Sequence, residues 1–399
     1  MTADTLTLKA ESPLALHRRR ASEQFAPTLD YLPGSAVRGA LADLYLAGAP
    51  ERSQEADFKN LFLSGVVRFS DFLPIPSDYH GLAHLIPATA AACKRFSDHE
   101  STSLTDGLLR LELAREMKQA DALEHNGWFY CPICQRGGHG ERRDRLESGY
   151  YTLLEAFQRV PVRKRMVTTT AIERASGTAA YGMLYSHEVI QESDVHEDVL
   201  FRGVVTLPEE LRSKLKELAG YGRRIAVGYG RSRGLGQVSV AGWGTAPVER
   251  QAVADRWAAL NETARALWSL FDRQPEGEYF SLTLQSHLAL RDDAGEPVLG
   301  EITAQDFGLS VGTVQCRRVL RAIAVPGWNA ALDLPKPDTW ALDRGSVLLF
   351  RLPPGHDREP VIDRLQEIER EGIGERRAEG FGRLTACDPF HFYFLQREP

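Results

Sequence analysis

The sequence predicts an α+β fold of two similar halves, and three observations support this. Residues Thr5–Ala10 and Phe280–Leu290 alternate apolar and polar side chains, as half-buried strands do. Each half also closes with an amphipathic helix, a glycine-rich loop and a final strand. The helices are predicted at about 208–219 and 361–368, and the loops follow at 228–236 and 372–382. Because this order occurs twice, we expect two related units.

The first glycine loop, GYGRSRGLG at 228–236, combines bare backbone with two cations. Closely spaced glycines disfavour a helix or a packed strand, but they let a loop bring its amides close to another molecule. Arg231 and Arg233 add guanidinium groups, which bind phosphate oxygens in pairs. Neither loop has the Gly-Lys-Ser/Thr of a Walker loop, and both precede a strand, whereas a dinucleotide-binding loop precedes a helix. The alternative is that the loop is only a glycine-rich turn between a helix and a strand and binds no ligand.

Composition and charge limit the function classes. The chain has 399 residues, of which 43% are hydrophobic and 26% charged, and this favours two globular domains. It has five cysteines, no signal-peptide pattern and no apolar run long enough for a bilayer, so we expect a cytoplasmic protein with no membrane partner.

A net charge of −6 excludes a uniformly basic surface. The basic residues are clustered, however, and 40 of the 48 are arginine, which suits phosphate contact, although a GC-rich genome would also enrich arginine.

The predicted domains are residues 1–245 and 252–399, joined by a linker at 241–250. An insertion at about 89–170 interrupts the first domain, and a hairpin follows at about 163–190. Its first arm begins with Arg163, Lys164 and Arg165, and its second arm, Tyr181–Glu188, carries aromatic residues. The hairpin either presents these aromatic residues to a ligand or packs them into the core.

A second anion site is predicted at the start of the first helix. Pro33 and Gly34 indicate a turn, and Ser35 is a good N-cap for a helix that continues to about Leu46. Free amides, the Ser35 hydroxyl and Arg38 in the first turn suit an anion. A capped helix without a ligand is equally consistent with the pattern.

The insertion contains one metal-binding motif. Cys131 and Cys134 form a C-x-x-C motif, whose spacing lets two thiolates bind one zinc ion. The other two ligands are not in the local sequence. The alternative is that both cysteines are small apolar residues in a turn.

Five stretches together resemble the RAMP superfamily of CRISPR effector subunits. They are LPGSAVRGAL at 32–41, TTTAIERASGTAAYGMLYSHEVI at 168–190, GYGRSRGLGQV at 228–238, VPGWNAALDLPKPDTWALDRGSVLLF at 325–350 and GIGERRAEGFGRL at 372–384. Their combination resembles the group-5-like subunit of type III-D interference complexes. The resemblance covers most of the chain.

This resemblance implies two ferredoxin-like (RRM-type) units, the first with a zinc-knuckle insertion. It also implies a non-catalytic subunit that holds the 5′ handle of the guide RNA. Its partners would be the large polymerase-like subunit, the backbone subunits and, indirectly, target RNA. The hairpin would act as a thumb on the guide, with bases stacked on its aromatic residues. The implied RNA-binding residues are Ser35, Arg38, Arg163, Lys164, Arg165, Gly230, Arg231, Ser232, Arg233, Gly234, Arg376 and Arg377, of which the last two alternatively meet a neighbouring subunit.

The resemblance also extends the zinc site. Family members often carry a Cys-Lys pair such as Cys93-Lys94, which makes Cys93 the third ligand. For the fourth ligand His99 and His139 compete, with His125 behind them, and we select His99.

We expect no catalytic site, because the sequence has no matched carboxylates, nucleophile elbow or tight metal cluster typical of one. A repeat-processing endoribonuclease is one alternative, with His187 as acid–base near Tyr181 and Tyr185. A protein-interaction module that binds no RNA is the other. Trp328, in a predicted loop at 327–337, is expected either to stack on a base or to fill a domain interface.

Overall fold

The computed structural model describes residues 1–17, 25–96, 99, 103–118, 130–146, 149–153, 157–194, 197–246, 250–309, 312–329 and 334–394. The main elements up to the first hairpin are β1 Thr2–Ala10, β2 Phe25–Ala26, α1 Gly34–Leu46, β3 Arg68–Phe69, β4 Leu73–Ile75, β5 His84–Leu85, β6 Ala90–Cys93, β7 Thr105–Asp106, α2 Leu108–Met117, α3 Pro132–Arg136, β8 Arg143–Arg145, β9 Tyr150–Leu153 and β10 Phe157–Val160. The hairpin and the end of the first half are β11 Lys164–Ile172, β12 Ala179–Ile190, β13 Leu200–Leu207, α4 Glu209–Leu218, β14 Arg224–Ala226 and β15 Gln237–Thr245. The second half contains α5 Arg250–Ser269, β16 Glu278–Leu284, β17 Val314–Val319, β18 Ala322–Asn329, β19 Leu334–Leu342, β20 Val347–Leu352, α6 Glu359–Glu371, β21 Leu384–Ala386 and α7 Phe390–Tyr393.

The first half is built on one antiparallel sheet in the order β14-β15-β1-β13-β3, and β4 also pairs with β13. Leu6 and Leu8 of β1 are fully buried and share a core with apolar residues of α1 and α4. Thr5 and Thr7, which alternate with them, are buried too. Both faces of this strand are therefore covered, and the predicted first strand is confirmed.

The second half repeats this arrangement with one helix moved. Its antiparallel sheet has the order β17-β20-β16-β21. Trp257 of α5 stacks on Phe280 at 4.9 Å between ring centroids, and Phe280 stacks on Phe350 at 5.3 Å. Between β16 and β17 the described residues contain only a single 3₁₀ turn, Gln305–Phe307. The helix α5, which precedes the first strand, packs beside α6 instead.

The insertion lies within the first half in sequence but packs against the second half. Leu108, Leu109 and Leu113 of α2 belong to the core of the second half. Glu116 of the same helix accepts hydrogen bonds from Trp268 Nε1 at 2.9 Å and Tyr279 Oη at 2.6 Å. The insertion thus holds the halves together.

Three local predictions are wrong. The predicted linker at 241–250 begins as a strand, because β15 continues to Thr245 beside β1. The predicted loop at 327–337 is part of a second hairpin, β18–β19. Ser35 is not the N-cap of α1, because the helix begins at Gly34 and the capping position is Pro33. Proline and glycine suggested turns at places where cross-strand pairing or helix geometry prevails.

None of the helices in the described part of the chain is long and apolar enough to cross a membrane.

Candidate nucleic-acid interface and metal centre

The glycines of the first loop dock it against the segment that follows β1. Gly228 and Gly236 have φ of +74° and +82°, and a Cβ at either position would collide with a backbone carbonyl oxygen. Tyr229 N donates to Ala15 O at 2.8 Å, and Gly236 N donates to Pro13 O at 2.9 Å. Glycine is therefore required both for left-handed backbone and for close approach. The loop is fixed at its two ends.

The tip of this loop faces solvent. Gly230 and Gly234, with φ of +73° and +80°, flank a 3₁₀ turn made of Arg231, Ser232 and Arg233, all three exposed. Arg231 Nη1 lies 2.6 Å from Asp43 Oδ2 of α1. Arg233 has no acidic partner among the residues described.

Further exposed cations and aromatic rings lie in and just before this loop in the chain. Arg223 and Arg224, at the start of the edge strand β14, are exposed and form no ion pair with any described residue. Tyr221 is 86% exposed and Tyr229 is 42% exposed. We call Tyr221, Arg223, Arg224, Tyr229, Arg231 and Arg233 the first-loop patch. The Arg223-Arg224 pair lies at the start of β14, and the glycine loop follows the end of that strand.

The first hairpin is confirmed, and its tip is exposed. Tyr181 is fully exposed, so this ring does not pack into the core. Two of the three predicted cations at the base are already paired: Lys164 Nζ lies 3.4 Å from Glu188 Oε2, and Arg165 Nη2 lies 3.3 Å from Glu192 Oε1. Arg163 is exposed as well.

The start of α1 already holds a carboxylate. Gly34 N donates to Asp71 Oδ1 at 3.1 Å, so Asp71 occupies the place where an anion was expected. Ser35 and Arg38 are half-buried in the first turns, and Arg38 has no acidic partner in the described part of the chain. Their roles stay predictions.

The second glycine loop packs between the halves. Gly380 lies against the first half, since an added Cβ would be 2.9 Å from Asp71 Oδ1. Arg376 Nη1 donates to Thr339 Oγ1 of β19 at 2.8 Å, and its Nη2 lies 2.7 Å from Glu379 Oε2. Arg377 is half-buried; burial and then the neighbouring Arg68 lower the pKa of its guanidinium. These two arginines therefore lie at an internal contact, and their predicted roles stay untested.

The second hairpin carries two exposed tryptophans. Trp328 is 55% exposed and Trp340 is 51% exposed. Trp328 therefore does not fill an interface between the two halves.

Three rings meet beside the first glycine loop. His17 stacks on His187 of β12 at 5.4 Å, and Tyr229 lies 4.6 Å from His17 and 5.2 Å from His187. Burial, and then His187, lower the pKa of His17. His17 Nε2 and His187 Nδ1 are buried, with no hydrogen-bond partner among the described residues. In sequence the two histidines are 170 positions apart, so only the fold could unite them.

The four predicted metal ligands converge. The ligand atoms of Cys93, His99, Cys131 and Cys134 all lie within 4.8 Å of one another. His99 Nδ1 is 3.8, 3.7 and 3.4 Å from the sulfurs of Cys93, Cys131 and Cys134, and the Cys93 and Cys134 sulfurs are 3.8 Å apart. A tetrahedral zinc with its usual bond lengths requires about 3.8 Å between two sulfurs and about 3.6 Å between sulfur and nitrogen.

The donor chemistry also suits a cation. Burial opposes ionisation of Cys93, but the amides of Phe96 and Arg95 prevail and lower its pKa to about 7. Burial and the neighbouring thiols raise the pKa of Cys134 to about 12. A second thiolate here therefore needs a positive ion. His139 is exposed nearby, and His125 lies outside the described residues. The Cys/His cluster is able to hold a metal.

The fold and these sites define an α+β protein of two similar halves that presents a basic glycine loop to solvent. The chain belongs to the RAMP superfamily, because the sequence model of that family matches residues 7–239, more than half of the chain. No curated protein matches it in sequence.

Several solved structures are similar in outline. A chain of the type III-B Cmr-beta complex bound to cognate target RNA shares 11% identity over 86% of both chains, with a TM-score of 0.43. A chain of the Csm3-Csm4 subcomplex of the type III-A CRISPR-Cas interference complex shares 13% identity over 88% of this chain and 94% of that one, with a TM-score of 0.35. Thermus thermophilus Cas6 shares 10% identity over 96% and 97%, with a TM-score of 0.36. At these scores the likeness carries no inference about ligands or partners.

Proposed function

We propose that this RAMP protein is a non-catalytic guide-RNA-binding subunit of a type III CRISPR interference complex, in the group-5-like position. It holds the 5′ handle of the guide and adjoins the large polymerase-like subunit and the backbone subunits. It meets target RNA only through the guide. The observation that carries the proposal is the first-loop patch: its exposed Arg223, Arg224 and Arg233 have no acidic partner among the described residues, and its tyrosine rings are exposed.

The patch suits single-stranded RNA for three physical reasons. Arginine forks bind phosphate oxygens, and Arg223, Arg224 and Arg233 have no competing carboxylate among the described residues. Tyr221 and Tyr229 offer faces on which splayed bases can stack. The glycine loop is fixed at both ends, so binding costs little ordering of the backbone. The tip residues Gly230, Ser232 and Gly234 let the chain pass close to the phosphates.

The contact extends from this patch along the first hairpin. Its base carries Arg163, Lys164 and Arg165, of which Lys164 and Arg165 would exchange carboxylates for phosphates. Its exposed tip offers Tyr181. Arg376 and Arg377 lie at the junction of the two halves of this chain, and this position supports neither RNA contact nor the alternative contact with a neighbouring subunit.

The test is a salt titration of handle-RNA binding. Each phosphate contact to a single strand contributes about −0.7 to the slope of log K against log salt. Combining Arg231→Ala with Arg233→Ala should therefore weaken binding and flatten the slope by about 1.4. Unchanged affinity and slope would remove the first-loop patch from the interface.

The matched control combines Arg265→Ala with Arg273→Ala. These arginines are also exposed, but they lie on and just after α5, in the other half. This pair removes the same charge and should leave the slope unchanged. A mobility shift of the wild type with guide RNA is the broader check, since its absence would favour a protein-interaction module.

We also propose that each half is a ferredoxin-like unit. In the first half, β1, α1, β3 with β4, β13, α4 and β15 follow the βαββαβ order, and the sheet order β15-β1-β13-β3 agrees with it. The second half has the same sheet order without the first helix, whose place α5 takes.

The Cys/His cluster, we propose, is a structural zinc knuckle. Zinc bound by Cys93, His99, Cys131 and Cys134 would stabilise the insertion by joining β6 to α3, and no open coordination position is left for catalysis. Metal analysis of the purified protein is expected to find about one zinc per chain.

A second candidate function is metal-independent cleavage of repeat RNA. The observation that favours it is the meeting of His17, His187 and Tyr229 beside the patch, because two imidazoles can act as general acid and base. Incubation with repeat RNA in EDTA decides the matter. Cleavage that His17→Ala or His187→Ala abolishes would establish the enzyme, whereas intact RNA would exclude it.

A further inference from the structure

A cavity of about 80 Å³ lies at the junction of the two halves. It is lined by β13 of the first sheet and by the start of β21 in the second. Two arginines, Arg202 and Arg383, face it from opposite halves. The cavity exceeds the roughly 10–15 Å³ that one water needs, and it is far below the roughly 300 Å³ of a typical small-molecule site. It therefore has room for a small ion.

Arg383 brings an uncompensated positive charge to this cavity. Its backbone is fixed, since its amide donates to Ser286 Oγ at 2.9 Å and its carbonyl accepts from Gln285 N at 2.9 Å. Its guanidinium has no hydrogen-bond or ionic partner among the described residues. Burial lowers the pKa of this guanidinium, although Glu369 at longer range partly opposes the effect.

Among the described residues, Arg202 has only neutral partners. Its guanidinium donates at 2.8 Å to Thr7 Oγ1 and to the carbonyl oxygens of Tyr79 and Gly81. Burial lowers its pKa as well. Both arginines therefore lack the carboxylate that partly buried guanidinium groups usually have.

The other ionisable groups that line the cavity do not neutralise this charge. His84 lies 3.7 Å from Asp388 Oδ2, and that carboxylate also accepts from Gln285 Nε2 at 3.0 Å. Asp71 lines the cavity too, and burial raises its pKa, but its carboxyl group forms no ion pair with Arg202 or Arg383 in the part of the chain that the structure describes. Both guanidinium groups are half-buried, and a bound anion would supply the acidic partner that the described residues do not give them.

We propose that this cavity binds a small oxyanion of phosphate size between Arg383 and Arg202. The anion is either free phosphate or a phosphate group of a nucleic acid. Since Arg202 and Arg383 belong to different halves, an anion bound to both would also stabilise the contact between the halves. This site is separate from the first-loop patch, and free phosphate tests it without RNA.

The experiment is thermal unfolding of the full chain in rising inorganic phosphate, with sodium chloride added to keep the ionic strength constant. A ligand of the native state raises Tm with the logarithm of its concentration once the site is saturated. The wild type should show this rise. Arg383→Gln and, separately, Arg202→Gln should lose it, while Arg265→Gln, an equal change on the exposed face of α5, should keep it.

Calorimetric titration of inorganic phosphate provides a second readout that does not depend on unfolding. One site per chain in the wild type, absent in Arg383→Gln, is the expected result. A wild type without phosphate binding, or a variant with the same Tm rise as the wild type, would overturn the proposal. Titration of handle RNA separates the two sources: equal affinity of Arg383→Gln and wild type indicates free phosphate, and weaker binding by the variant indicates a phosphate of RNA.

Discussion

Replacing one predicted zinc ligand tests the metal centre most sharply. Cys131 is completely buried, and its sulfur lies 3.7 Å from His99 Nδ1. Zinc binding at a structural site is worth about 10–16 kcal/mol, so each of four ligands contributes roughly 2.5–4 kcal/mol. Cys131→Ser should therefore weaken zinc binding by about 10² to 10³-fold. The insertion should then lose the link between β6 and α3.

Two measurements follow this loss. Elemental analysis after dialysis against a weak chelator should find zinc in the wild type and little in the variant. Substitution with cobalt should give the intense visible absorption of tetrahedral thiolate coordination in the wild type alone. Cys316→Ser is the matched control, because Cys316 is half-buried on β17, outside the cluster.

The histidine ligand has its own control. His99→Ala should reduce zinc affinity, and His139→Ala should not, since His139 is exposed and outside the cluster. A metal-free wild type of equal stability would refute the zinc assignment. Retention of zinc by Cys131→Ser would refute the ligand geometry.

Three further predictions concern the fold. Phe350→Ala, in the core of the second half, should lower the free energy of unfolding by about 3–5 kcal/mol in urea. Gly236→Ala should lower the free energy of unfolding clearly more than Gly234→Ala does. Both glycines have a positive φ, which costs an L-residue about 1–2 kcal/mol, but only at Gly236 would the added Cβ also collide with a carbonyl oxygen. His391 should stabilise the fold most at low pH. Burial opposes the charged form of its imidazole, but the carboxylate of Asp106, 3.1 Å away, has the larger combined effect and raises the pKa of His391. The stabilisation is therefore complete below the unfolded pKa of about 6.5 and is lost as pH rises through the folded pKa.

Each of these predictions has a direct check. A small effect of Phe350→Ala would mean that the aromatic stack is not part of the core. Equal costs at the two glycines would mean that the loop is not held at Gly236. The pH prediction compares wild type with His391→Gln in urea between about pH 5 and 8, and a stability difference that grew with pH would contradict it.

Much of the fold could be predicted from local pattern. Alternation located β1 and β16, and apolar periodicity located α4 and α6, because both signals depend on neighbours a few residues apart. The prediction failed at β18–β19, where Gly327, Pro335 and Pro337 suggested a loop. Cross-strand pairing prevailed there, and a single sequence does not show pairing between segments.

Only part of the candidate site could likewise be predicted from the sequence. The C-x-x-C motif and the arginines of the first glycine loop are local signals. The meeting of His17 with His187 is not, nor is the unpaired state of Arg383, because both depend on segments far apart in the chain.

By itself the sequence determined the α+β class, the twofold repeat and the residue types that suit phosphate and metal. Only the tertiary structure decided which of those residues face solvent. The first glycine loop has an exposed tip, whereas the second packs between the halves, where Gly380 lies against Asp71. Residue type sets what chemistry a side chain can perform, and burial and neighbouring charge decide whether it is free to perform it.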